Sequence, residues 1–463
     1  MSNYPAVRDN IVLYSKNPYN RVLVVSAYAG ITDDLLEHKK TGQSGVYGLF
    51  AHNDRKNDWF IALQQLRVKL NKINKTLFTD VEQLAQANNF INERIAKSKR
   101  LLNHLQDLCS HGHFSLDEHL LTVRELLASI GEAHSAWNLT QLLKNEGVNT
   151  RFVDLTGWQT ETKHPLDEVI VDQLKDIDFT KQLAIVTGYA HCSENLMDTF
   201  DRGYSEMVFS RIAVLCDATE AVIHKEYHLS SADPRLVGET EAIPIGKTNY
   251  DIADQLANLG MEAIHPRAAK GLRQAKIALW IKNAFEPEHH GTLITDDYVS
   301  ESPQVEIIAG MKHLIALEVF DQEMMGQQGT YEKILIDMAE RVRCQVISKD
   351  FNANTITVYL NTSLKKAKKL ADQLQNKRPT ATLNTSKVSL ASVMGSDMRI
   401  KGLLAKSVQT LFTHDINIEA LHQNTRQVEM QFFVNENDYE KTIKALHLNL
   451  IEVHNHGKAI CEH

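Results

Sequence analysis

Two stretches of the chain hold residues that could handle an anion: TFDRGYSEMVFSRIAVL, Thr199 to Leu215, and SSADPRLVG, Ser230 to Gly238. In the first, Arg202 and Gly203 precede Ser205, and Val208, Phe209, Ile212 and Ala213 follow at helical spacing, so Ser205 is expected to cap a helix. A helix start leaves N–H groups free to receive an anion. In the second, Asp233 and Arg235 flank Pro234, a turn where a short carboxylate bonds local backbone and a guanidinium reaches a phosphate. Together they point to a phosphorylated or carboxylated small ligand. Each alone also fits an ordinary helix opening and an ordinary surface turn.

The elements that must position these residues are legible as periodicity. From Arg21 to about Gly238, RVLVVSA, TRFVDL, QLAIVTGYA and EAVIHKEY alternate with helical patterns, which predicts an α/β fold with a mostly parallel sheet and helices on both faces. Such sheets bind ligands beyond the carboxyl ends of their strands, where Ser26 and Gly30 follow the first run and Thr187 and Gly188 another. Between Phe50 and Cys109 the chain is polar, but Leu63, Leu66, Leu70, Ile73 and Leu77 share one helical face. This predicts a partly buried helical excursion, acting as a lid or as scaffold.

From Val305 the texture changes, and a strand, helix, strand, strand, helix order occurs twice. KHLIALEVF, TYEKILIDMAERV, CQVISK, TITVYLN and LKKAKKLADQL form one unit; SKVSLASVM, GLLAKSVQTLF, INIEALHQ, QVEMQFFV and YEKTIKALH form the other. The loop DQEMMGQQGTYEK, with Met325, Gly326, Gln328 and Gly329, leads into a helix, and its N–H groups suit an amino-acid carboxylate. HQNTRQVE, with Gln423 and Asn424, is its expected partner; loops without a ligand are the alternative.

At 463 residues the chain exceeds the size at which one core stops growing, so a large domain with smaller ones is expected. A net charge of −8 offers no general attraction to nucleic acid or an anionic membrane, and neither is expected as a partner. The five cysteines, Cys109, Cys192, Cys216, Cys344 and Cys461, are scattered without a CxxC pair, which suits a reducing cytoplasm better than a disulfide framework. No apolar run approaches the roughly 18 residues of a membrane helix. Histidines at HGH (His111), His289 with His290, and HNH (His454) lack zinc-site spacing and read as solvated loops, with no metal ligands expected.

RVLVVSAYAGITDDLLEH at Arg21, SIGEAHSAWNLTQLL at Ser129, DRGYSE, SSADPR, EAIHPRA at Glu262 and KNAFEPEHHGTLI at Lys282 stand in the order and approximate spacing of aspartate kinases of the amino-acid kinase superfamily. The resemblance covers nearly the whole chain. The two C-terminal units resemble the ACT domains of those enzymes, which bind regulatory amino acids and pair with a neighbouring subunit. HKEYHLSSADP and ITDDLLEHKKTG resemble the aspartate kinases encoded with ectoine synthesis genes.

What the resemblance implies is specific. A catalytic domain should span 1–300 with its helical excursion at 50–128, followed by ACT-like α+β domains at 305–380 and 385–463 that make a homodimer or larger homo-oligomer. L-aspartate, ATP and Mg²⁺ would be the small molecules, with an amino-acid effector at the ACT-like loops. Ser26, Thr32, Glu132, Arg202 and Ser205 would surround aspartate, with Glu132 on the α-ammonium and Arg202 gripping the α-carboxylate. Lys225, Ser230, Ser231, Asp233 and Arg235 would form the nucleotide loop, with Arg235 near the phosphates. The plain alternatives are a helix-opening acid for Glu132 and a surface ion pair for Arg202.

The chain departs from the family pattern in three places. His224, Lys225 and Ser230 replace the family's usual residues around the nucleotide loop, and Glu262 replaces a lysine. The family opens on a strand ending in a lysine, a residue, two glycines, threonine and serine, whereas SNYPAVRDNIVLY after Met1 resembles the helix that follows it. A start placed too far downstream is expected over a genuine truncation, and the chain as written is expected to turn over little. Two other functions compete: a non-catalytic amino-acid sensor on a kinase scaffold, and a kinase of glutamate or carbamate.

Overall fold

The computed structural model describes residues 3–38, 41–52, 57–158, 160–200, 203–261, 263–342 and 344–452. They fall into two compact units: Met1–Ala221 with Arg267–Ile277 and Ala284–Glu288, and Val222–Pro266 with Ala278–Asn283 and His289–His463.

In the first unit, the β-rich runs form β1 (Val22–Val25), β2 (Thr150–Val153) and β3 (Leu183–Thr187), a parallel sheet in the order β1-β3-β2. Strand alternation divides its side chains between two clusters. Val25, Leu183 and Ile185 pack with Ala136, Leu139 and Leu143 of the Leu120–Asn145 helix. Val24, Ala184 and Val186 join Ile170, Val208 and Ile212 from the Leu166–Leu174 and Tyr204–Leu215 helices. Both faces are therefore covered, as a parallel sheet requires.

The helical excursion is built from Asp58–Leu77 and Val81–Cys109, the latter N-capped by Asp80, whose side chain accepts from the Gln83 amide. Leu63, Leu66 and Leu70 are buried, and Ile73 and Leu77 pack against the same core cluster. This supports scaffold over lid. The Leu120–Asn145 helix is buried continuously from Leu127 to Ala136, so its polar Glu132, His134 and Ser135 lie inside the protein.

The second unit holds two sheets. One has four strands, β4 (Glu220–Lys225), β5 (Lys247–Asn249), β6 (Ala278–Asn283) and β7 (Thr292–Thr295), ordered β4-β6-β7-β5, with β5 parallel and β6 antiparallel to β7. The other has six antiparallel strands: β8 (Ile307–Phe320), β9 (Gln345–Phe351), β10 (Thr355–Asn361), β11 (Thr382–Met394), β12 (Ile418–Gln423) and β13 (Glu429–Asn435), ordered β12-β13-β11-β8-β10-β9.

The duplicated strand and helix order read from sequence is present, but the two copies share their longest strands. Residues Leu314–Phe320 of β8 pair with Thr382–Val388 of β11, while Ile307–Met311 pair with Leu390–Met394. The register shifts between the two halves, where His313 adopts φ 62°. One half carries a core of Leu335, Met338, Leu370 and Leu374 over Leu317, Val358 and Leu360. The other carries Leu411, Ile443, Leu446 and Leu450 over Ile308, Leu390 and Phe432. Among the described residues no helix is long and apolar enough to cross a membrane.

Candidate active site

Because β1 and β3 are parallel neighbours, the loops that leave them emerge at one edge of the sheet. Ser26 to Gly30 follow β1, and Thr187 ends β3, with Gly188 just beyond it donating its amide to the Val25 carbonyl at 2.9 Å. The loop after β1 turns into the Ile31–Leu35 helix through Gly30, whose φ of 75° favours glycine, and this places Thr32 in the helix's first turn.

Glu132 comes to this edge from the middle of the Leu120–Asn145 helix, far from the helix start, so it is not a helix-opening acid. Its side chain is buried. The Tyr204 hydroxyl donates to Oε1 at 3.2 Å and the Ser205 hydroxyl to the same oxygen at 3.4 Å. Oε2 has no hydrogen-bond partner among the described residues. Burial pushes the carboxyl up to about 8, against the hydrogen bonds from Tyr204, Ser205 and the Ala27 backbone. A buried acid with one satisfied and one open oxygen, poised near neutrality, is suited to a cationic group that would ionise it.

Ser205 corrects an expectation. The Tyr204–Leu215 helix takes Gly203 as its N-cap, with no side-chain cap, and Ser205 lies inside the first turn. Its hydroxyl is directed to Glu132 instead. Tyr204 belongs to a stretch singled out in sequence, yet nothing in its type assigned it to Glu132; only the fold brings the two together. Ser26 is held through its carbonyl, which accepts from Ser135 Oγ at 2.8 Å. Arg202, Glu262 and His454 lie outside the described residues.

The expected nucleotide residues all lie in the second unit. Asp233 caps the short Pro234–Val237 helix, its Oδ1 accepting from the Arg235 amide at 2.9 Å. The Arg235 guanidinium pairs with the same carboxylate at 2.7 Å while its side chain stays 88% exposed, open to a further anion. Hydrogen bonding from Arg235 holds the Asp233 carboxyl below the usual range. Ser230 Oγ donates to the Ala232 carbonyl at 2.8 Å. Ser231 is buried: its Oγ accepts from the Ile243 amide at 3.1 Å and meets His447 Nε2 at 2.9 Å. Its hydroxyl therefore shapes the loop from inside. Lys225 ends β4.

The expected effector residues occupy loops of the six-stranded sheet's two halves. Met325 is exposed, Gly326 has φ 76°, and Gln328 and Gly329 open the Gln328–Arg341 helix, with Gln328 Nε2 donating to the Ala353 carbonyl at 3.1 Å. Gln423 ends β12, and Asn424 Oδ1 accepts from the Arg426 amide at 3.1 Å in the turn before β13. Among the described residues no group of three His, Cys, Asp or Glu side chains converges to hold a metal.

Residues 2–283 match the model of the amino acid kinase family. The whole chain is 50% identical over 463 residues to the aspartate kinase Ask_Ect of Stutzerimonas stutzeri (strain A1501), covering 99% of this chain and 97% of that one. It is 23% identical over 488 residues to the aspartokinase of Candida albicans, covering 96% and 87%. Among solved structures, E. coli aspartokinase III in complex with lysine and aspartate superposes with a TM-score of 0.70 at 19% identity, covering 97% of this chain and 96% of that one. The same enzyme with aspartate and ADP gives 0.70 at 18%, covering 97% of each.

Proposed function

The chain belongs to the amino acid kinase family, and within it to the aspartate kinases, and from that premise we propose that it transfers the γ-phosphoryl group of ATP to the side-chain carboxylate of L-aspartate, giving 4-phospho-L-aspartate and ADP. The carboxylate is already ionised at neutral pH, so no general base is needed. One of its oxygens bonds to the γ-phosphorus while the bond to the β,γ-bridging oxygen breaks, and ADP leaves with that electron pair. The protein's task is positioning and charge neutralisation.

The observation that carries this reading is the open Oε2 of a buried Glu132, ready for an ammonium, with hydroxyls of Tyr204 and Ser205 on its other oxygen. Glu132 meets the α-ammonium, and Ser26, Thr32 and Ser205 supply hydroxyls around the substrate. Arg202 takes the α-carboxylate. Lys225, Ser230, Ser231, Asp233 and Arg235 form the nucleotide loop, in which the exposed Arg235 receives phosphate oxygens.

Mg²⁺ would be held by the ATP phosphates. It keeps phosphate oxygens and water as ligands more readily than it enters an all-protein cage, and the loop's one carboxylate is committed to Arg235. When bound it neutralises phosphate charge.

We propose a catalytic domain at 1–300 and ACT-like domains at 305–380 and 385–463, the last two sharing the strands β8 and β11. We assign to them amino-acid sensing, at Met325, Gly326, Gln328, Gly329, Gln423 and Asn424, and pairing between copies of the chain in the cytoplasm. The designation Ask_Ect of the half-identical relative favours the ectoine-type subtype. Similarity to that kinase over 99% of the chain disfavours a non-catalytic sensor.

The test is a hydroxamate assay for the acyl phosphate with L-aspartate and MgATP. Glu132→Gln is expected to raise the aspartate KM more than about tenfold with the ATP KM unchanged. An equal loss of both, or no calorimetric binding of L-aspartate and ATP, overturns the assignment.

A further inference from the structure

Asn74, His134 and Asn138 form a polar knot inside the first unit, each fully buried. His134 Nε2 meets Asn74 Oδ1 at 2.7 Å, and Asn138 Nδ2 donates to the same oxygen at 2.9 Å. With Nε2 carrying the proton, both donors converge on one acceptor. Asn74 in turn donates to Asn88 Oδ1 at 3.1 Å, which joins the two long helices of the excursion to the helix that carries Glu132. Burial pushes His134 down to about 3, so it stays neutral at any working pH.

The knot is incompletely satisfied. His134 Nδ1 and Asn138 Oδ1 have no hydrogen-bond partner among the described residues. Buried polar atoms left open cost stability, and apolar side chains of similar size would fill the same space without that cost. Such a set is best explained by the one arrangement it specifies.

That arrangement leads to the substrate edge. The second hydrogen of Asn138 Nδ2 goes to the Tyr28 hydroxyl at 3.0 Å, and the Tyr28 ring stands edge-on to His134 with centroids 5.3 Å apart. Tyr28 is the middle residue of the Ser26 to Gly30 loop. The same loop is pinned by Ser135 Oγ on the Ser26 carbonyl, and Ala27 packs so closely on Gly131 that a β-carbon there would stand 2.9 Å from the Ala27 methyl. Three consecutive loop residues thus meet one helix, at Ser135, Gly131 and Asn138, which lie on one face at spacings of four and three.

We propose that Tyr28 and Asn138, braced by Asn74 and His134, are positioning residues for L-aspartate: they fix the Ser26 to Gly30 loop, and with it the Ser26 hydroxyl, against the helix that carries Glu132. This deepens the aspartate kinase reading and rests on it. It also makes the helical excursion the foundation of the substrate site.

Steady-state kinetics of the full chain tests this, with thermal unfolding beside it. Tyr28→Phe, which deletes one oxygen, is expected to raise the aspartate KM roughly three- to tenfold, the worth of one net hydrogen bond, with the ATP KM and kcat changed less than about twofold. The double variant Tyr28→Phe with Asn138→Leu should raise the aspartate KM at least as much while its thermal midpoint stays equal or rises. Leu139→Ala, a core truncation on the same helix, should lower the midpoint and leave that KM unchanged. Wild-type aspartate KM values in both Tyr28 variants overturn this inference alone. Loss of aspartate-dependent turnover and calorimetric aspartate binding in the unsubstituted protein overturns it together with the function it rests on.

Discussion

Gly188 and Glu132 meet where no side chain could be added: a β-carbon on Gly188 would stand 3.0 Å from Glu132 Oε2, 2.7 Å from Ser205 Oγ and 2.9 Å from the Val25 carbonyl oxygen. Two of these neighbours belong to the proposed aspartate site, and the third is backbone of β1 that cannot withdraw without breaking its pairing to β3. Gly188→Ala should therefore displace Glu132 and Ser205 before it disturbs the sheet. We expect the aspartate KM to rise at least about tenfold, with overpacking costing about 1–3 kcal/mol of stability. Kinetics with a denaturant titration checks both; an unchanged KM would show that Oε2 faces away from the substrate.

The titration of Glu132 gives a second prediction. Its carboxyl ionises near 4.5 in an unfolded chain and is pushed up to about 8 in the fold, chiefly by burial. Between those values the folded state holds a proton that the unfolded state has released. Stability from this group is therefore full below about pH 4.5, falls across the window and is lost above about pH 8. Glu132→Gln should flatten that part of the thermal midpoint profile. An incoming ammonium reverses the preference, so aspartate binding at pH 7 should release close to one proton. Calorimetry in two buffers of different ionisation enthalpy reads this directly, and no proton release would mean that the carboxyl is already ionised before substrate arrives.

Local periodicity made the elements legible: the alternation of RVLVVSA and QLAIVTGYA, the stripe from Leu63 to Leu77 and the repeated order after Val305 all appear where the patterns placed them. Long-range pairing was not legible. That β8 and β11 each serve both repeats depends on a register shift near His313, which no local signal encodes. At the site, Glu132 and Ser205 were visible as residue types, but Ser205 looked like a cap because capping is the commonest use of a serine there. Its actual partner is 73 positions away. The knot of Asn74, His134, Asn138 and Tyr28 gathers three distant segments, and nothing in the local sequence pattern marks these polar residues for burial.

Arg235, the proposed phosphate contact, offers a test that separates nucleotide binding from stability. Its side chain is largely exposed and its ion pair to Asp233 is of the surface kind that adds little to folding. Arg235→Ala should leave the thermal midpoint within about a degree or two while raising the ATP KM and sparing the aspartate KM. If the aspartate KM moved instead, the Asp233 to Arg235 turn would belong to the other substrate.

The shared strands make the six-stranded sheet sensitive at one glycine. A β-carbon on Gly310 would lie 2.2 Å from the Leu390 carbonyl oxygen and 2.8 Å from the Tyr439 ring. Gly310 pairs with Ala391 in the part of β8 that joins β11. Neither neighbour can give way locally, since one is backbone of a central strand and the other anchors the Tyr439–Leu450 helix. Gly310→Ala should therefore cost about 1–3 kcal/mol through separation of β8 from β11 around this point. Because β11 also carries Thr382–Val388 of the other half, amide exchange should accelerate in both halves of the sheet at once. Exchange confined to Ile307–Met311 and Leu390–Met394 would show instead that the two halves open independently, despite the strands they share.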